Sequence, residues 1–377
     1  MPRAQVAAGR PDAAIRLARD LGPGPFAAVI LFASPEADLP ALEAGLAAFG
    51  DAPVIGCTTA GEISADGYAE GEIVAVGLPE ALFAAEVLAV PDLGAIDGQD
   101  LIGQLIRARQ ALARARPAWQ AEFAFLLVDG TSVREDALTA ALGPGLGPVP
   151  LFGGSAGDGL RFGRAMVLYA GHFRGNAAVV LMLRSACRVK VFSLDHLVPT
   201  DRRMVVTGAD PARRLVRRIN AEPAAREYAR LLGKDPEQLT AFTFAAHPLV
   251  VRVGGRHHVR AIQRMEENGD LIFFSAIAEG LVLTLAEPLD IAAHLETELN
   301  RLGQGGAPAA ILACDCILRR MEAQENQRFG AVSAILQAHG VTGFSTYGEQ
   351  LNSMHVNQTM TGVAIWPPET PDGVDAP

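Results

Sequence analysis

The sequence predicts an α/β fold, with mixed β-sheets and helices arranged as two domains packed together. Three observations carry this expectation. The chain has 377 residues, more than one hydrophobic core usually serves, so two domains or two closely packed halves follow. Half of the residues are hydrophobic, which is ample for burial and excludes a disordered chain. A pattern of strand, helix, strand, glycine turn and strand then recurs three times along the chain.

The first copy reads FAAVILFA, PEADLPALEAGLAAFG, VIGCTTAGE and EIVAVGL. The second reads EFAFLLVDG, REDALTAAL and VPLFGGSAGD, followed by AMVLYA and AAVVLML. The third reads APAAILACDC, LRRMEAQENQRFGAVSAILQAHG and VTGFSTYGE, followed by HVNQTMTGVAIW. Each strand–helix–strand passage implies a parallel pair made by a right-handed crossover, with antiparallel strands added after the turn. The turns also align. GCTTAGE at 56–62 and GFSTYGE at 343–349 share G-x-[ST]-T-x-G-E, and GGSAGD at 153–158 is a shorter echo.

Such turns belong at the carboxyl ends of strands, where open α/β sheets bind ligands. Gly56, Gly61, Gly154, Gly343 and Gly348 permit close backbone approach. The side chains of Cys57, Thr58, Thr59, Ser155, Ser345 and Thr346 and the acids Glu62 and Glu349 add the few polar contacts a ligand site needs. These residues form the candidate ligand-binding set. The first and last turns are expected to line one cavity between the two domains; the bland alternative is that the turns only close strands.

The middle of the chain differs. Residues from about 200 to 240 read as two helices, with Asp210-Pro211 as N-cap and first helical residue. ARRLVRRI at 212–219 reads within them as an amphipathic helix with an arginine face. AFTFAAHPLVVRVGG, HHVRAI, DLIFFSAI and GLVLTLA read as an antiparallel meander, with turns at Gly254-Gly255 and Asn268-Gly269. A domain boundary is expected near 225–240.

Composition excludes several function classes. The formal net charge is −10, which argues against nucleic acid as a partner. No apolar run approaches the roughly 18 residues of a membrane span, and the N-terminus lacks the apolar core of a secretory signal. No membrane insertion and a cytoplasmic location are therefore expected. Four cysteines are too few for a disulfide framework and suit a reducing compartment.

Catalytic motifs are weak. Gly153–Gly157 satisfies G-x-S-x-G, but a nucleophile elbow must open directly into a helix, whereas this sequence runs on into a strand. Cys57 has neither a base nor a helix N-terminus named by the sequence. Cys314-Asp315-Cys316 lacks a second ligand pair for a closed zinc site. The expectation there is that Cys314 ends a buried strand, Asp315 caps the following helix and Cys316 packs. The chain is expected not to be an enzyme.

Most histidines have ordinary roles. His257 and His258 follow a hairpin turn, His294 lies on an acidic helix face and His339 sits at a helix C-terminus. His172 lies in a turn. His196, His247 and His355 stand at the ends of apolar runs and are the candidate metal-ligating residues.

VIGCTTAGEI, LFGGSAGD and GFSTYGE, in this order, resemble the glycine-rich signatures of the FIST sensory family. The resemblance covers roughly 26–228 for an N-terminal domain and 229–366 for a C-terminal domain, after a leader (1–25) and before a flexible tail (367–377). FSLDHLVPTDRRMVVTGADPARRLV, HPLVVR, CDCILRRME and MHVNQTMTGVAI are similar to the nitric-oxide-sensing NosP branch. That resemblance implies a haem b sensor of nitric oxide, acting on a separate histidine kinase or on a diguanylate cyclase or phosphodiesterase. With no C-x-x-C-H the haem would be held non-covalently, and His196, His247 or His355 would hold the iron. The alternative is a sensor of a small ligand such as an amino acid, with Glu62 and Glu349 as amine partners. A hydrolase using Ser155 is the distant third.

Overall fold

The computed structural model describes residues 1–253 and 255–368. The expected α/β class is observed, and the three sequence repeats become three six-stranded mixed sheets. In each repeat a lead strand pairs in parallel with the strand that carries the glycine motif. These pairs are Phe26–Ala33 with Val54–Thr58, Ala121–Asp129 with Leu151–Ala156, and Ala310–Cys316 with Val341–Thr346. A long antiparallel strand flanks each lead strand on its other side: Glu72–Pro79, Ala178–Ser185 and Met360–Trp366. The lead strands are apolar almost throughout because parallel strands are covered on both faces.

The short hairpins after the glycine turns are exchanged between repeats. The first hairpin, Glu62–Ser64 with Gly67–Ala69, completes the third sheet through Gly343 and Phe344. The second, Val167–Tyr169 with His172–Arg174, completes the first sheet. The third, Glu349–Leu351 with Met354–Val356, completes the second sheet. The exchange is cyclic, so no repeat closes its own sheet edge. The three sheets share a core in which Phe32 stacks on Phe344 at 4.7 Å and Phe125 stacks on Phe152 at 4.8 Å.

The first glycine of each motif has one physical role. A Cβ at Gly56, Gly153 or Gly343 would lie 2.3, 2.3 or 1.8 Å from the carbonyl oxygen of the paired lead strand. No side chain fits there.

Between the second and third repeats stands an additional eight-stranded sheet, drawn from residues 197–288. It corrects two expectations. The segment read as helical from 200 is strand Leu197–Asp210, then a short 3-10 turn at Pro211–Arg213, then strand Leu215–Ile219. Asp210 makes no side-chain cap, and within ARRLVRRI the residues Leu215, Val216 and Ile219 are buried while Arg217 and Arg218 are exposed. Tertiary pairing with Val282–Pro288 and Leu271–Phe273 overrode the helical pattern. Helix Ala224–Leu232 follows, as expected, and the inserted sheet joins the repeats at 197 and 288.

The expected meander is not formed: AFTFAA is helix Ala241–Ala246, and the strands make two separate hairpins, Leu249–Val253 with Arg256–Val259 and Ile262–Met265 with Leu271–Phe273, at opposite ends of the sheet, with Val282–Pro288 beside Leu249–Val253. Both hairpin turns hold a glycine at positive φ, Gly255 and Gly269; Gly254 lies outside the described residues. Residues 1–25 are part of the fold. Arg3–Ala7 extends the first sheet, and helix Ala13–Leu21 packs on it. Of the expected tail, Pro367 and Pro368 are described and residues 369–377 lie outside the described residues. Among the described residues no helix is long and apolar enough to cross a membrane.

Candidate functional site

The three glycine turns converge and hydrogen-bond directly to one another. Ala60 N donates to Ser345 O at 2.9 Å and Ser345 N to Gly61 O at 2.7 Å. Ser155 N donates to Gly348 O at 2.8 Å, and Gly157 N to Thr58 O at 3.0 Å. The first and last turns therefore meet as expected, but backbone against backbone rather than across a shared slot.

A cavity of about 340 Å³ opens beside this junction, and all three repeats line it. The first repeat supplies Ser34, Glu36, Ala60, Gly61, Glu62 and Glu70. The second supplies Asp158 and Arg161, and the third supplies Arg320 from helix Ile317–Glu325. The cavity lies beyond the carboxyl ends of the first repeat's parallel strands, where α/β sheets bind ligands. It offers carboxylates and guanidinium groups together.

Its charges are held in place. Arg320 is buried, donates to Ala69 O at 3.2 Å and to Glu70 Oε1 at 2.8 Å, and lies 4.9 Å from the ring centroid of Tyr68. Gly61, at φ +128°, makes room for it: a Cβ there would lie 2.2 Å from Arg320 Nη1. Glu62 is fully buried; it accepts from the Thr59 hydroxyl and from Glu72 N at 3.2 Å. Burial pushes its carboxyl up to about 7. Asp158 accepts from Gly163 N, Arg164 N and the Tyr347 hydroxyl, which fixes the loop bearing Arg161.

Glu349 repeats the Glu62 arrangement without facing that cavity. Thr346 donates to it as Thr59 donates to Glu62, and Thr359 adds hydrogen bonds from its N at 3.2 Å and its hydroxyl at 2.7 Å. It is fully buried, and burial pushes its carboxyl up to about 8.

Ser155 Oγ accepts from Gln350 Nε2 at 2.9 Å, is fully buried, and the chain runs on from it without a helix. Burial pushes the Cys57 thiol well up, which removes the thiolate a nucleophile needs. Neither residue has the partners of a catalytic nucleophile.

The three candidate histidines lie apart. His196 is buried in a charge network: Nδ1 lies 2.8 Å from Arg319 Nη1, and Nε2 lies 2.8 Å from Glu322 Oε1. Arginine only donates, so Nδ1 accepts and Nε2 carries the proton given to Glu322. Neither ring nitrogen is left for iron. Arg319 also donates to Asp315 at 2.7 Å, and Asp315 accepts from Tyr68. Asp315 is thus not the expected helix cap; that position falls to Cys316, which makes no side-chain cap.

His355 is buried against Gly348 and Asn357. Its Nδ1 is 3.2 Å from Gln350 Nε2, and its Nε2 has no hydrogen-bond partner among the described residues. His247 is half-buried on a cavity of about 550 Å³ together with Arg202, Lys234, Phe242 and Leu285. Burial and then Lys234 hold its imidazole below the usual histidine range, which favours the neutral ring. Among the described residues no group of three or more His, Cys, Asp or Glu is arranged to hold a metal ion by itself.

Sequence reasoning missed Tyr68, Glu70, Asp158, Arg161, Arg319 and Arg320. Asp315 and Arg319 stand at i and i+4 on one helix approach, a visible ion-pair spacing. The cross-repeat partners left no local signal.

An α/β scaffold with interlocked repeats and a polar cavity at the strand ends is the architecture of a ligand-receiving protein. Residues 27–222 match the FIST N domain and residues 224–352 match the FIST C domain. The chain belongs to the FIST family, whose domains are signal-transduction sensors that bind small ligands. A search of curated proteins finds no match.

Proposed function

We propose that this sensor binds a small zwitterion of the amino-acid type in the cavity shared by the three repeats. The observation that carries this reading is the pairing of Glu36, Glu62 and Asp158 with Arg161 and Arg320 in one cavity of about 340 Å³. A carboxylate matches a guanidinium fork, and an ammonium group matches a carboxylate. Among twenty amino acids added singly, at least one is expected to raise the thermal midpoint with increasing concentration. Arg161→Ala, at the exposed rim, should lose most of that shift while folding normally. If no amino acid shifts the wild-type midpoint, the reading fails.

A second reading, haem b with nitric oxide as the signal, is favoured by one observation. His247 alone of the three candidates combines a neutral imidazole with an open cavity, and Arg202 and Lys234 on the same wall suit propionates. When bound, the haem would supply an iron centre for the gas, and His247 would be its axial ligand. Haemin titration should give a saturable Soret band that His247→Ala abolishes and that His196→Gln retains. Equal haem spectra from wild type and His247→Ala would sink the reading. In either case the output passes to a separate histidine kinase or cyclic-di-GMP enzyme.

A further inference from the structure

A second cavity, of about 350 Å³, opens at the carboxyl end of the second repeat's lead strand, through Gly130 and Thr131. It occupies the place in the second repeat that the mixed-charge cavity occupies in the first. Its chemistry is different: no carboxylate lines it, and Arg213 and Arg264 stand on its rim. Arg264 is shared with Glu266 at 2.9 Å. Arg213 is exposed and makes no side-chain hydrogen bond or ion pair among the described residues. In a chain with net charge −10, Arg213 is free to take an anion at the cavity mouth.

One wall is aromatic. The Phe162 ring lies 4.6 Å from that of Tyr347 and 5.6 Å from that of Phe274, and all three line the cavity. The backbone is strained at the same place. Val133, Phe162 and Arg214 adopt φ of 60°, 52° and 51°, and all three are lining residues. Positive φ is costly for bulky residues, above all for a β-branched one, and such strain concentrates at ligand clamps. Arg214 is held there by Glu135 at 2.8 Å and Asp136 at 2.9 Å. The wall is thereby fixed before any ligand arrives.

We propose that this cavity binds a planar aromatic anion, with its ring against Phe162 and Tyr347 and its charged group at Arg213 and Arg264. Aromatic faces accept a ring by stacking, and a guanidinium fork fits phosphate or carboxylate. The inference does not rest on the ligand proposed for the first cavity.

The test is calorimetric titration of the full chain with adenosine monophosphate, phenyl phosphate and benzoate, beside inorganic phosphate and adenosine. At least one of the three aromatic anions should bind saturably at one equivalent, more tightly than phosphate or adenosine. Arg213→Ala should weaken that binding by roughly tenfold or more, with unchanged circular dichroism because the side chain is exposed. Phe162→Ala should weaken it as well, and Glu36→Gln in the first cavity should leave it unaltered. Binding of none of the three, equal binding by Arg213→Ala, or phosphate as tight as phenyl phosphate would overturn the proposal.

Discussion

Replacing Arg319 with alanine should destabilise the folded chain by about 3–5 kcal/mol, the usual cost of breaking a buried ion pair from one side. Arg319 is fully buried and is bonded to both Asp315 and His196. Without it, Asp315 keeps only Tyr68 as a donor in a site closed to water, and His196 Nδ1 loses its donor. The network also ties the third repeat's helix to the strand that leads into the inserted sheet, so the loss should be global. Urea unfolding should show a lower midpoint with an unchanged slope. The double variant Asp315→Asn with Arg319→Met should recover much of the loss, because the uncompensated charge is then gone. A loss below about 1 kcal/mol for Arg319→Ala would mean that water or a rearranged side chain takes over its role.

The second large effect is a stability that falls as pH rises through neutrality. Burial raises Glu349 from an ordinary 4.5 to about 8, and Glu62 to about 7. Between these limits the folded chain keeps protons that the unfolded chain has released. The contribution is therefore complete below about pH 4.5 and is lost as pH climbs through the folded values. At about 1.4 kcal/mol per pH unit, Glu349 accounts for a decline on the order of 4–5 kcal/mol, and Glu62 for less. Glu349→Gln keeps one acceptor oxygen for Thr359, can donate its amide to Thr346 Oγ1, and has no proton to lose. Its urea midpoint should decline less steeply than that of the wild type from about pH 5 to about pH 8, keeping only the smaller contribution of Glu62. Equal slopes for variant and wild type would show that Glu349 ionises without cost, through water that reaches it in the folded chain.

Local sequence determined the three repeats, their parallel strand pairs and the glycine turns at strand ends. Each is a short-range fact: apolar runs of strand length, helix spacing between them, and glycine-rich turns. The pairing of Thr59 with Glu62 and of Thr346 with Glu349 spans only three residues, yet it emerged only in the structure. The tertiary structure alone decided which hairpin completes which sheet, since unpaired strand edges accept any strand of suitable register. It also decided that LVRRI becomes a strand, because an edge between two other strands outweighs a modest helical preference. Likewise, the sequence offered His196 and His247 as near equals, with His355 behind them. Folding closed His196 in an Arg–Glu network, buried His355, and left His247 facing a cavity. The partners that close His196 lie more than a hundred positions from it, which no local pattern records.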